Sequence, residues 1–135
     1  MKIKFHSTDG PPHDYLTVGY WFWDEPKNTG TLHIEVAKLP DWRYSLAVFG
    51  HEFVEAIYCW MRGITTEECD VFDDKCELEF IAGTRDPRVE PGFDGLCPYR
   101  NGHILGSWWE WFIIHVTFAS WKKYDTACNK VMGLE

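Results

Sequence analysis

Residues 51–55 read His-Glu-Phe-Val-Glu, one letter away from the His-Glu-x-x-His signature of zinc peptidases. In a helix, positions i and i+4 stack on one face. His51 and Glu55 can therefore reach one metal ion, with Glu52 displaced sideways as a base for a water that the metal polarises. Glu55 stands where a second His is expected. A carboxylate neutralises more of the metal charge than an imidazole does and weakens its Lewis acidity, so whether such a site turns over is the open question.

Zinc in catalytic sites takes three protein ligands and keeps one position open, so a further donor must come from another element. His103 is the strongest candidate, because on helical spacing it shares a face with Gly106, Ser107, Glu110, Ile114 and Thr117. Small residues between His103 and Glu110 let a second helix, or a metal, come close. The expected metal set is His51, Glu55 and His103. Asp73 and Glu110 are expected either to hold the free ring nitrogen of a ligating His or to serve as the carboxylate ligand themselves; spacing leaves both open. The competing reading is a buried polar network in which His51, Glu55, His103 and Asp73 satisfy one another without an ion.

The elements that must position these groups follow from period and punctuation. Lys2–His6, Leu16–Trp23 and Thr31–Val36 read as strands, and the turn formers from Asp24 to Gly30 join the last two as a hairpin. Asp41 is an N-cap for a helix from Trp42 to about Arg62, with Gly63 as its stop. Leu46, Phe49, Gly50, Phe53, Val54, Ile57, Trp60 and Met61 fall in one wedge and are expected to face the core. Tyr44, Ala47, Val48, His51, Glu55 and Tyr58 form a second line poor in ordinary surface residues. Buried on such a helix, His51 and Glu55 are costly unless paired or ligated.

Thr65 and Glu68 form a capping box opening a second helix to about Ile81. Its stripe is Cys69, Phe72, Cys76 and Phe80, and Asp73 projects with it. The stretch from Gly83 to Pro98 has no period and is long for a structureless connection, as a cleft rim or lid would be. A third helix is expected from about Tyr99 or Asn101 to Trp121, and a short fourth from Asp125. The fold class is thus α+β: a small antiparallel N-terminal sheet packed on three to four helices, in one domain spanning residues 1–135.

The chain has 135 residues with a formal charge of −8, eight Trp, six Tyr and nine Phe. That charge disfavours nucleic acid and anionic membrane as partners. No apolar run approaches the length of a spanning helix and Lys2, Lys4 and His6 interrupt any signal-like start, so a cytoplasmic location is expected. The five cysteines (Cys59, Cys69, Cys76, Cys97, Cys128) lack a Cys-x-x-Cys pair and read as reduced core residues. Ser107 lacks a nucleophile elbow, the acidic residues of the second helix lack the order of a calcium loop, and no phosphate loop is present. His33 is expected to be a hydrogen-bonded sheet histidine, and His6, His13 and His115 to lie off the site.

Leu32-His33-Ile34-Glu35-Val36, Asp41-Trp42-Arg43-Tyr44, Gly50-His51-Glu52-Phe53-Val54-Glu55-Ala56, Asp70-Val71-Phe72-Asp73 and Tyr99-Arg100-Asn101-Gly102-His103 with Glu110 together resemble small phage and bacterial zincin-like proteins of uncharacterised activity. The resemblance covers most of the chain. It implies a minimal zincin-like domain with a metal site, in a bacterium or a phage-infected host cell, and supplies no substrate. The expected function is zinc-dependent hydrolysis of an amide, most simply in a peptide, with Glu52 as general base. The strand Thr31–Val36 is expected to be an edge that binds an extended substrate. The alternative is a catalytically inactive protein-binding module built around a structural metal or buried polar cluster.

Overall fold

The computed structural model describes residues 1–12 and 16–134. Three strands, β1 (Lys2–Thr8), β2 (Gly19–Glu25) and β3 (Thr29–Ala37), precede four helices: α1 (Trp42–Arg62), α2 (Thr66–Ile81), α3 (Arg100–Val116) and α4 (Trp121–Val131). The architecture is α+β, an N-terminal sheet packed on helices. His13 lies outside the described residues.

The sheet order is β1-β3-β2, with β2 and β3 antiparallel and β1 and β3 parallel. The sheet is therefore mixed, where an antiparallel one was expected. β2 runs back after β1, and the tight hairpin then returns β3 between them in the direction of β1. Thr31–Val36 is consequently the centre of the sheet, and its place as an edge passes to β1 and β2. The hairpin turns on Lys27 and Asn28, both at positive φ, as a two-residue turn matching strand twist requires. Asn28 also donates to the Ile64 carbonyl at 2.7 Å and accepts from Thr66 N at 3.0 Å, which ties the hairpin to the junction of α1 and α2.

Leu32, Ile34 and Val36 alternate inward and are essentially inaccessible, each contributing about 1.5–3 kcal/mol of burial. Trp21 and Trp23 of β2 flank them in the core. The other sheet face carries His33, which meets His6 Nε2 at 2.9 Å and Asp24 Oδ2 at 3.2 Å, away from the helical side.

Asp41 caps α1 by accepting from Arg43 N, and Gly63 closes it at φ 69°; the Thr65–Glu68 capping box opens α2. The second line of α1 is buried as expected apart from half-buried Tyr58, whereas the larger apolar stripe is buried only in part. Its buried residues are Tyr44, Ala47, Val48, Gly50, His51, Glu52, Glu55, Ala56 and Cys59, whereas Leu46, Phe49, Phe53, Val54 and Ile57 are half-buried and Trp60 and Met61 exposed. The helix turns its small and ionisable residues toward β2 and α3, while Leu46, Phe49 and Phe53 pack on the margin of the core with part of their surface uncovered.

α3 ends at Val116, five residues short of the expected Trp121, and α4 begins at Trp121 rather than Asp125. Phe118 adopts φ 59°, Thr117 Oγ1 bonds back to the Ile113 carbonyl at 2.6 Å, and the Ser120 hydroxyl accepts from Lys123 N to start α4. No Gly or Pro marks this break, so the pattern reads through it.

Candidate metal centre

α1 and α3 meet across small residues. At Gly106 an added β-carbon would lie 2.8 Å from the His51 carbonyl oxygen and 2.9 Å from its ring, so only glycine lets α3 approach the imidazole. Ala at this position is expected to displace the His51 ring and, for any metal held there, to weaken binding by at least about tenfold, as loss of a support shell does. Competition against a chromogenic chelator measures it.

Within this contact three donors converge. His51 Nε2 lies 3.0 Å from His103 Nδ1 and 3.2 Å from Glu55 Oε2, and His103 Nδ1 lies 2.9 Å from the same oxygen. All three residues are buried, and the trio could hold a metal ion. Tetrahedral zinc with ligand distances of about 2.0–2.1 Å sets its donors roughly 3.3 Å apart, so a few tenths of an ångström of expansion would admit it.

Each donor is also held from behind. His51 Nδ1 contacts Glu110 Oε1, and Tyr124 donates to Glu110 Oε2 at 2.6 Å. His103 Nε2 lies 2.7 Å from Glu90 Oε2, and Trp21 Nε1 donates to Glu55 Oε1 at 2.8 Å. Carboxylates behind both rings favour a proton on the outer nitrogen of each, turning the inner lone pairs toward one another and toward Glu55. Such a cluster needs either extra protons or a cation at its centre.

The electrostatics show how protons satisfy it without metal. Burial alone would lower the His51 pKa, but Glu110 and Glu55 hold it well above the ordinary value. His103 is likewise opposed by burial and raised by Glu55 and Glu90, to about 9. Burial favours neutral Glu55, yet the two imidazoles outweigh it and bring the carboxyl to about 2. Burial also acts against ionised Glu90, and His103 lowers it overall.

Glu52 differs from these. It is buried and makes no side-chain hydrogen bond among the described residues, with its carboxylate against Gly19 of β2, where an added β-carbon would come within 2.5 Å of Oε1. Burial and the Glu55 charge push its pKa up to about 8, against the pull of His51 and His103. A carboxyl tuned near neutrality is the property a general base needs.

These groups line a cleft of about 400 Å³. β2 forms one side, α2 contributes Asp70 and Asp73, and the segment from Arg85 to Gly92 closes the rim. Asp73 shares this cleft but stands outside the three-donor group: it accepts from the Tyr99 hydroxyl at 2.5 Å, and burial raises its pKa to about 7. Of the two expected supports, Glu110 reaches a ring nitrogen and Asp73 does not. Ser107 is spent on the His103 carbonyl, and His115 is exposed with its ring on the Trp111 carbonyl.

Sequence reasoning missed Glu90, Trp21 and Tyr124. Glu90 sits in the aperiodic loop, where no spacing fixes direction. Trp21 could have been found from strand alternation, which sends it inward with Trp23 beside the first helix. Comparison with known protein families, curated proteins and solved structures finds no match.

Proposed function

We propose that the chain is a zincin-like zinc hydrolase that cleaves an amide bond, most simply in a peptide, with Glu52 as general base. The observation that supports this best is the convergence of His51 Nε2, Glu55 Oε2 and His103 Nδ1 in a cleft that also holds the Glu52 carboxyl, which has no side-chain hydrogen bond among the described residues. Zinc bound there would polarise a water and a substrate carbonyl. Glu52 takes the proton of the attacking water and passes it to the leaving amine, while Glu110, Glu90 and Trp21 fix the donors in place.

Substrate binding by strand addition moves from β3 to β2. Ala37 N donates to the Val18 carbonyl at 2.9 Å, so residues 18, 20 and 22 turn their main-chain groups toward β3 by the antiparallel alternation. Gly19, Trp21 and Trp23 then face the outer edge. The Thr66 hydroxyl takes Trp23 N–H, and the N–H and C=O of Trp21 are directed along the cleft, where an extended peptide can pair with them.

Two nitrogens and one oxygen suit zinc and also Fe(II), so metal identity is measured directly. Untagged protein is expected to carry one zinc per chain and His51→Ala to carry less than about a tenth of that, since a lost ligand costs at least as much as a lost support. Stoichiometric iron, or equal zinc in both proteins, rejects the assignment.

A second reading is a catalytically silent metal-centred binding module, and the charge around the site favours it. Glu55, Glu90 and Glu110 surround the centre with three carboxylates, more than the two charges of the ion. An enzyme should lose turnover in Glu52→Gln while retaining metal, whereas a silent module has no turnover to lose. Among the described residues no helix is long and apolar enough to cross a membrane; five buried free cysteines agree with a reducing compartment, the cytoplasm of a bacterium or phage-infected host.

A further inference from the structure

The outward face of α1 is its most apolar one. At 100° per residue, Trp42, Leu46, Phe49, Phe53, Ile57 and Trp60 form one line along the whole helix, half-buried or exposed throughout. α3 lies alongside and presents Leu105, Trp108 and Phe112, all exposed. The two stripes join: Trp109 occupies the space a β-carbon at Gly50 would take, and its ring stands 6.3 Å from Phe112. On the other flank Phe49 meets Phe53 at 6.2 Å and Phe5 of β1 at 5.6 Å.

The size of this face is the decisive quantity. At about 200 Å² per large aromatic side chain, exposures of 69% for Trp42, 49% for Trp60, 68% for Trp108 and 53% for Phe112 leave roughly 500 Å² uncovered. Adding Phe5, Met61 and Leu105 brings it to roughly 800 Å², beyond the ~300–600 Å² of the largest patch on a typical monomer and equal to the share each partner gives a standard interface.

We infer that this face is the interface of a symmetric dimer, with a second copy of the chain as its occupant. A two-fold contact needs a patch that is complementary to itself, and two rows of aromatic and aliphatic side chains meet that need. Charge selects the same occupant. The chain carries −8, so the net repulsion between two copies is least where neither presents charge, and none of the nine side chains in the two rows is ionisable. An anionic membrane would repel the chain as a whole, and these rows offer no Lys or Arg to hold its headgroups. The apolar flank of edge strand β1, Ile3 and Phe5, would be covered in the same contact, removing an exposed template for aggregation.

Sedimentation velocity of the 135-residue protein, as purified, across micromolar concentrations tests this. The expected result is a species of twice the 15.9 kDa chain mass. Trp60→Glu on α1 and Trp108→Glu on α3 should each raise the dimer dissociation constant by roughly 30-fold or more, as loss of a central aromatic does, with unchanged circular dichroism. Leu78→Glu, on an exposed position of α2, should leave it unchanged. A monomer at every concentration overturns the inference. So does a dimer indifferent to both tryptophan variants, or a monomer that binds phosphatidylcholine vesicles and loses that binding in Trp108→Glu. Should one tryptophan variant fail to fold, the other still reads the face.

Discussion

Glu52→Gln should retain zinc and lose about 10²- to 10⁴-fold in kcat, the span that a positioned general base contributes. Glutamine matches the size of Glu52 and fits the same space against Gly19, so the fold and the three donors stay in place. What it lacks is a basic site. Glu52 makes no side-chain hydrogen bond among the described residues, so the change breaks none there. Loss of turnover with metal content unchanged therefore assigns the proton transfer to this carboxyl. Burial and Glu55 raise the carboxyl to about 8 while the imidazoles oppose them; a divalent cation beside it lowers it further toward the working range of a base. The acid limb of the pH–rate profile should accordingly vanish in Glu52→Gln. Full activity in this variant removes Glu52 from the mechanism, and no detectable activity in either protein toward a broad peptide library turns the balance to the silent binding module.

Much of the site was legible because helices have a period. Two caps delimited α1, the i, i+4 spacing stacked His51 on Glu55, and the small residues between His103 and Glu110 announced a close helix contact that Gly106 supplies. What resisted reading is equally physical. The larger apolar stripe of α1 was assigned to the core on the premise that the most hydrophobic face is the buried one. Here the inner face carries Tyr44, Val48 and small residues together with His51 and Glu55, which pair with each other and with His103, and much of the bulky stripe keeps surface for a partner. Pairing order has no local signal either: the alternation of Leu32, Ile34 and Val36 sets which face is buried but says nothing about which strand lies in the middle. Glu90 was invisible for a third reason, because a loop without a period carries no direction for its side chains. The break at Phe118 lacks the Gly or Pro that would announce it.

Metal removal should destabilise the protein more at pH 8.5 than at pH 5.5, and the sign follows from the buried groups. In the metal-free protein His103 titrates near 9 and His51 well above its ordinary value. A raised folded-state pKa stabilises fully below the unfolded value of about 6.5 and loses that stabilisation as pH rises through the folded one. Glu52, raised to about 8, and Asp73, raised to about 7, act in the same direction, because the folded chain again holds protons that the unfolded chain releases. Glu55, lowered to about 2, acts oppositely but only in acid: its contribution is complete above the ordinary carboxylate range and fades as pH falls toward 2. The metal-free Tm should therefore be highest near pH 5–6 and decline toward pH 9. Zinc held by the two imidazoles would reverse this slope, since it needs the deprotonated rings and its affinity grows as protons leave. At a free zinc concentration a thousandfold above Kd, binding adds about 4 kcal/mol, which for a chain of this size raises Tm by roughly 10–20 °C. At pH 5.5, where protons occupy both imidazoles, the gap between chelated and zinc-loaded protein should shrink to a few degrees. Thermal melts with and without chelator at the two pH values decide the matter: a gap that is equal at both, or absent at both, means that His51 and His103 do not carry the metal.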